Sequence, residues 1–194
     1  MFELKLTGED QATGLVADTF NEIKAHLNLN FVPNYFKALA ASPSFLVVSW
    51  NTLHRVVVNE GHLSRTTKDL ICAAIAHANH CLYCKIAHLA CSKALGADIE
   101  TRNHVIFDVN AIQPTRTREI IKFALKSAVF PANLSEVDYR ALKDQGIRQE
   151  EFLEIVAVCS FACSANIYAD ALSLPIDAEF KEILIEEKSH PIQC

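Results

Sequence analysis

Within residues 69–95, Cys81 and Cys84 lie three apart and His88 follows four later. On an α-helix, residues three and four apart share a face, so two thiols and an imidazole line up along one side. The segment reads as a buried helix, a tight turn near Asn79 and a second helix starting about Cys81. Unpaired N–H groups and the positive dipole end at that start favour a thiolate. A free cysteine has a pKa of about 8.5, and Cys-X-X-Cys pairs in such settings fall to roughly 3.5–7.5. The chemistry implied is that of a redox dithiol. His88 is placed to take the Cys84 proton as a base, or to stabilise its thiolate as an imidazolium. Asp69 is an acid in a run that otherwise reads as core, and a buried carboxylate needs a partner. If the two helices fold back on each other, Asp69 and His88 lie at similar distances from the turn. Asp69 can then orient the imidazole or relay its proton. Tyr83, between the cysteines, offers a hydroxyl to the same relay.

Each residue also has a plainer reading. Buried cysteines often act as small hydrophobes, and that suits Cys72, Cys159 and Cys163 in their apolar helix bodies. It suits Cys81 and Cys84 less well, where spacing, helix start and histidine coincide. A zinc site would draw on Cys81, Cys84, His88 and Cys91. On one helix these span about 15 Å, whereas tetrahedral zinc holds its ligands at roughly 2.0–2.3 Å. One helix cannot supply all four, and no second Cys-X-X-Cys exists, so no metal is expected. His77 and His80 flank the turn as a polar rim, and His80 can raise the local positive field. Asp69 could be a helix cap, with Thr66 opening a capping box, and Tyr83 a packing aromatic.

The elements that must hold this cluster are helical. Residues 9–27 carry Leu15, Phe20, Ile23 and Leu27 at helical spacing. Pro33 opens a short helix over 34–41, and Ser42-Pro43 starts another over 45–59. That third helix is apolar most of the way round, which suits burial, including against a second subunit. Ser64 or Thr66 caps a fourth helix whose 70–78 segment is apolar and small-sided. Gly96 ends the Cys-X-X-Cys helix. Further helices are expected over 98–107, 115–130, 135–144, 149–172 and 177–188, before a loose tail ending in Cys194. Period-2 alternation is nearly absent. The expectation is one all-α domain over 1–194, a bundle of about nine or ten helices around a central Cys-X-X-Cys hairpin. Residues 154–172 faintly echo 69–95, as a candidate duplicated helical unit without the chemistry.

The 194 residues, 51% hydrophobic and 21% charged, suffice for a substantial core. A formal charge of −5 with no basic run gives no nucleic-acid footprint. The acidic start is unlike a signal peptide, and no uncharged apolar run reaches about 18 residues, so no membrane partner is expected. The chain is placed in the cytoplasm, where thiols stay reduced. Seven cysteines are poor for a disulfide scaffold, and a close pair suits catalysis or metal binding better than structure. No glycine-rich nucleotide motif appears, so no cofactor is expected.

The run Asp69…Cys81-Leu82-Tyr83-Cys84-Lys85-Ile86-Ala87-His88 resembles the active-site signature of alkylhydroperoxidase D-like proteins in the carboxymuconolactone decarboxylase superfamily. Val32-Pro33-Asn34 and Ser173-Leu174-Pro175-Ile176 are similar to segments of the larger, peroxidase-related members, and the resemblance spans about residues 30–178. It implies an all-helical fold, a homo-oligomer (trimer or hexamer) and peroxide reduction in antioxidant defence. Cys84 would attack a small hydroperoxide and become a sulfenic acid, and Cys81 would condense with it to a disulfide. A lipoyl-type or thioredoxin-like dithiol would then reduce that disulfide. His88 would activate Cys84, with the carboxylate behind it. Two positions depart from the pattern. The family carboxylate is usually glutamate, and Asp69 is a methylene shorter; the residue at Tyr83 is often histidine. Helix-start physics alone favours Cys81 as the low-pKa thiol. The two readings agree if Cys81 is an exposed exchanging thiol. The alternatives are a protein disulfide oxidoreductase and a non-enzymatic oligomeric redox sensor. The decarboxylase activity of the superfamily's name does not use this dithiol.

Overall fold

The structure is a computed structural model that describes residues 5–185. Among these, ten α-helices, short 3-10 turns and one π-turn account for the regular structure, with no strand. The helices are α1 Gly14–Leu27, α2 Asn34–Leu39, α3 Pro43–Leu53, α4 Arg65–Ala78, α5 Leu82–Ala94, α6 Ile99–Phe107, α7 Thr115–Val129, α8 Glu136–Asp144, α9 Gln149–Ala171 and α10 Ala178–Ile185. The all-α expectation of about nine or ten helices holds. The end of the last predicted helix and the tail with Cys194 lie outside the described residues.

Helix α4 is the axis of the bundle, packed against α5, α6, α7 and α9. Its run from Lys68 to Ala76 is wholly buried. Ala73, Ala74 and Ala76 let neighbouring backbones approach, while Ile71 and Ile75 fill the space between them. Ser64 is its N-cap and accepts a hydrogen bond from the Thr67 N–H at 3.2 Å. Asp69 is therefore not the cap.

One motif ends α4 and begins α5. His80 takes a left-handed backbone (φ 60°). The His80 N–H bonds to the His77 carbonyl at 3.1 Å, and the Cys81 N–H to the Ala76 carbonyl at 2.9 Å. That is a Schellman pattern with histidine where glycine is usual. Cys81, just past it, is the N-cap of α5. The chain thus reverses in three residues and returns α5 along α4. Helix α9 ends the same way through Ser173 (φ 50°), its Leu174 N–H reaching the Ala169 carbonyl at 3.0 Å.

Several boundaries differ from expectation. The predicted helix over 9–27 starts only at Gly14, because Glu9 is drawn away: its Oε1 accepts from the Val32 N–H (2.9 Å) and its Oε2 from Lys24 Nζ (2.8 Å). The predicted helix over 45–59 loosens after Leu53 into a π-turn, His54–Val58, with the Asn59 N–H reaching the His54 carbonyl at 2.8 Å. Its Leu46, Trp50 and Leu53 are buried, but Phe45 and Val48 are exposed. The echo of 69–95 in 154–172 does not extend to structure, since α9 runs through without a turn. Helix α9 is apolar enough over 23 residues to cross a membrane by composition. Here it packs on α4 and α7 as a core helix, with Glu154 in an ion pair.

That ion pair fixes α4 from the other side. Lys68 is fully buried, pairs with Glu154 and donates to the Asn59 carbonyl at 2.8 Å. The other oxygen of Glu154 accepts from the His62 and Leu63 N–H groups at 2.8 and 2.9 Å. Adjacent residues of α4 therefore face different neighbours: Lys68 reaches toward α9, Asp69 toward α5.

Candidate active site

A cavity of about 70 Å³ lies between α4, α5, α9 and the π-turn. It is walled mainly by apolar groups, among them Leu53, Val57 and Phe161, and Cys84, His88 and Asp69 also line it. That volume holds several waters or a compact small molecule.

Asp69 and His88 meet on its wall. Asp69 is 2% exposed, and its Oδ1 accepts from His88 Nδ1 at 2.7 Å. A carboxylate at Nδ1 fixes the proton there, so in the neutral ring Nε2 is the basic nitrogen. The shorter aspartate thus still reaches the imidazole. Among the described residues no direct hydrogen bond joins His88 to Cys84; the two share the cavity wall.

The two thiols form a coupled pair. Cys81 sits at the N-cap of α5, with the Cys84 thiol beside it as its electrostatic partner. The Cys84 thiol is the largest influence and holds the Cys81 thiol below its ordinary value, against the opposing effects of burial and of Asp170. The same pairing, with burial, pushes the Cys84 thiol up. The direction is the one expected for Cys81, but its largest cause is the Cys84 thiol and not the helix end. Cys81 is nevertheless fully buried, and the expectation that it is the exposed exchanging thiol is corrected. The turn and α9 cover it, and it does not line the cavity. Cys84, 4% exposed, is the sulfur that opens to the cavity.

Tyr83 is corrected as a relay member. Its hydroxyl donates to Asp177 Oδ2 at 2.8 Å and accepts from the Tyr35 N–H at 3.0 Å, which leaves no hydrogen for His88. Asp177 Oδ1 in turn accepts from the Asn34 N–H at 2.9 Å, and Asn34 Nδ2 donates to the Pro175 carbonyl at 3.0 Å. Tyr83 therefore ties the Cys-X-X-Cys helix to a joint between the start of α2 and the segment before α10. That joint brings together the two outlying segments of the sequence resemblance.

Two residues escaped the sequence reading. Asn166, 4% exposed, donates toward the Cys84 sulfur and accepts from Asn79 Nδ2 at 3.0 Å. Asp170, one turn on, accepts from the Cys81 thiol. The signal was present: Cys159, Cys163, Asn166 and Asp170 recur at four, three and four residues along an otherwise apolar helix. His77 and His80 remain at the rim of the turn, and burial lowers the His77 pKa slightly. Cys91 lines the cavity from the next turn of α5, its thiol pushed up by burial and by Asp69. Among the described residues no group of three or more His, Cys, Asp or Glu is arranged to hold a metal.

Comparison with known proteins shows what this arrangement is similar to. The model of the carboxymuconolactone decarboxylase family matches residues 48–112, which include α4, the turn and α5. An uncharacterized peroxidase-related protein from Ralstonia eutropha JMP134, with an alkylhydroperoxidase AhpD core, shares the fold at a TM-score of 0.82. It is 25% identical, over 91% of this chain and 92% of that one. A peroxidase-related protein from Silicibacter sp. TM1040 superposes at 0.79 with 23% identity, over 92% and 95% of the two chains. The debrominase Bmp8 superposes at 0.77 with 19% identity, over 94% and 96%. No curated protein matches the chain in sequence. Residues 48–112 thus match the carboxymuconolactone decarboxylase family model, and the whole fold is similar to that of an alkylhydroperoxidase AhpD core.

Proposed function

We propose that the protein is a thiol peroxidase for small organic hydroperoxides. The observation that carries this reading is the pairing of Asp69 with His88 on the same cavity wall as Cys84. In this reading His88 Nε2 takes the Cys84 proton, directly or through one water. The Cys84 thiolate attacks the terminal oxygen of R–O–O–H. The O–O bond breaks, Cys84 becomes a sulfenic acid, and the alkoxide leaves and takes a proton from the imidazolium. The Cys81 sulfur then displaces hydroxide from the sulfenic acid, and hydroxide and the remaining proton leave as water. A dithiol donor reduces the disulfide in two exchanges, restoring both thiols and leaving the donor oxidised.

The geometry favours small substrates over protein thiols, because exchange needs access to the attacked sulfur. With Cys81 sealed and Cys84 buried on the wall of a small cavity, a slender lipoyl-type arm fits better than a thioredoxin-like protein face. Mass spectrometry after peroxide and a sulfenic-acid trap separates the roles. Cys81→Ser should accumulate the adduct on Cys84; an adduct found only in Cys84→Ser would reverse the assignment.

A further inference from the structure

The Asp69–His88 pair leaves two groups unused. Asp69 Oδ2 and Arg65 Nε are both buried and have no hydrogen-bond partner. They lie 3.8 Å apart, and both residues line the cavity that Cys84 opens into. Their ion pair is too long for a hydrogen bond, so each keeps an unmet hydrogen-bonding position. An oxygen set between them would lie within hydrogen-bond reach of both, taking the Nε–H and giving its own hydrogen to Oδ2.

The chemistry of this notch selects its occupant. A carboxylate or phosphate could accept from Arg65, but would meet the Asp69 charge. An ammonium could donate to Asp69, but would meet the guanidinium. A neutral hydroxyl, donor and acceptor at once, satisfies both. The rest of the wall is apolar, with Phe36, Val57 and Phe161 among it. The ligand therefore has one hydroxyl-type oxygen on a compact apolar body.

Resting on the peroxidase reading, we propose that Arg65 and Asp69 Oδ2 seat the oxygen that leaves as the alcohol, so that Arg65 positions a compact alkyl hydroperoxide for attack by Cys84. In the substrate that oxygen only accepts, from the Arg65 N–H; as the O–O bond breaks the His88 proton passes to it, so no full negative charge faces Asp69. Once protonated by His88, the alcohol donates to Asp69 Oδ2. Asp69 thus serves two atoms with two oxygens: Oδ1 orients the imidazole, Oδ2 holds the product.

The test uses Arg65→Met and Arg65→Lys in the full chain, with tert-butyl hydroperoxide for turnover and tert-butanol for binding by saturation-transfer NMR. Lysine keeps the charge but lacks the Nε–H at this position. Both variants should lower kcat/KM at least tenfold and weaken tert-butanol binding at least fivefold. If Arg65→Met fails to fold, Arg65→Lys alone decides. Wild-type binding of tert-butanol in either folded variant would overturn the seat. If wild type turns over no peroxide yet binds tert-butanol through Arg65, the seat stands and the peroxidase reading falls. If wild type neither turns over nor binds, both fall.

Discussion

Two sulfurs of the same element are given opposite tendencies here by their pairing. It lowers Cys81 and raises Cys84, so the first proton lost leaves the charge on Cys81. A direct check is the thiolate absorbance near 240 nm against pH. The first thiolate of the reduced protein should appear below the range of an ordinary cysteine. Cys84→Ala removes the partner thiol, so the Cys81 midpoint should rise. Asp170→Asn removes an acceptor and a negative charge that oppose ionisation, so it should fall. Midpoints that move the other way, or not at all, would show that the pair is not coupled as described. The residues of this site were unequally legible in the sequence. Cys81, Cys84 and His88 declare themselves by spacing on one helix, and Asp69 by being an acid in a core run. Asn166 and Asp170 come from a helix some eighty residues on, and only their shared stripe with Cys159 and Cys163 marks them. Cys81's burial could not be read, because what covers it arrives from α9.

At the scale of elements, helices announced by period and caps stand where expected. Ser64 opens α4 and Asp98 opens α6, its carboxylate accepting from the Thr101 N–H at 2.7 Å. What stayed hidden were the left-handed residues that are not glycine, His80 and Ser173, and the π-turn at His54–Val58. These are set by packing and carry no residue-type signal. Tyr83 shows how an element can be misread from a single residue. Between two cysteines it looks chemical, yet its hydroxyl binds α5 to the Asn34–Asp177 joint. Tyr83→Phe should leave the Tyr35 N–H and Asp177 Oδ2 unpaired and cost about 1–3 kcal/mol in urea unfolding. Its kcat/KM toward tert-butyl hydroperoxide should stay within about twofold of wild type, whereas His88→Ala should lose roughly 10²–10⁴-fold, the usual share of a general acid–base. A Tyr83→Phe loss as deep as that of His88→Ala would return the hydroxyl to the relay.

The whole molecule is organised by links that no local pattern reveals. Tyr83 to Asp177 spans ninety-four residues and Asn34 to Asp177 spans 143. The Lys68–Glu154 pair is of the same kind, and it bears directly on the site. It holds α4 to α9 and to the loop after the π-turn, the elements that wall the cavity, while Asp69 beside it reaches α5. Even Gly61 belongs to it, since a Cβ there would lie 2.3 Å from a Glu154 oxygen. A buried pair of this kind is costly to break from one side, because the remaining charge stays in the low-dielectric interior. Lys68→Met should therefore cost about 3–5 kcal/mol in urea unfolding. Lys68→Met with Glu154→Leu should recover part of that loss, since no uncompensated charge remains, though the His62 and Leu63 N–H groups lose their acceptor. The double variant should also lose peroxide turnover, because the loop and α9 no longer share an anchor across the cavity. A Lys68→Met protein within about 1 kcal/mol of wild type, below the usual cost of a lone buried charge, would mean that apolar packing alone fixes α4 and that the pair follows from the fold without holding it.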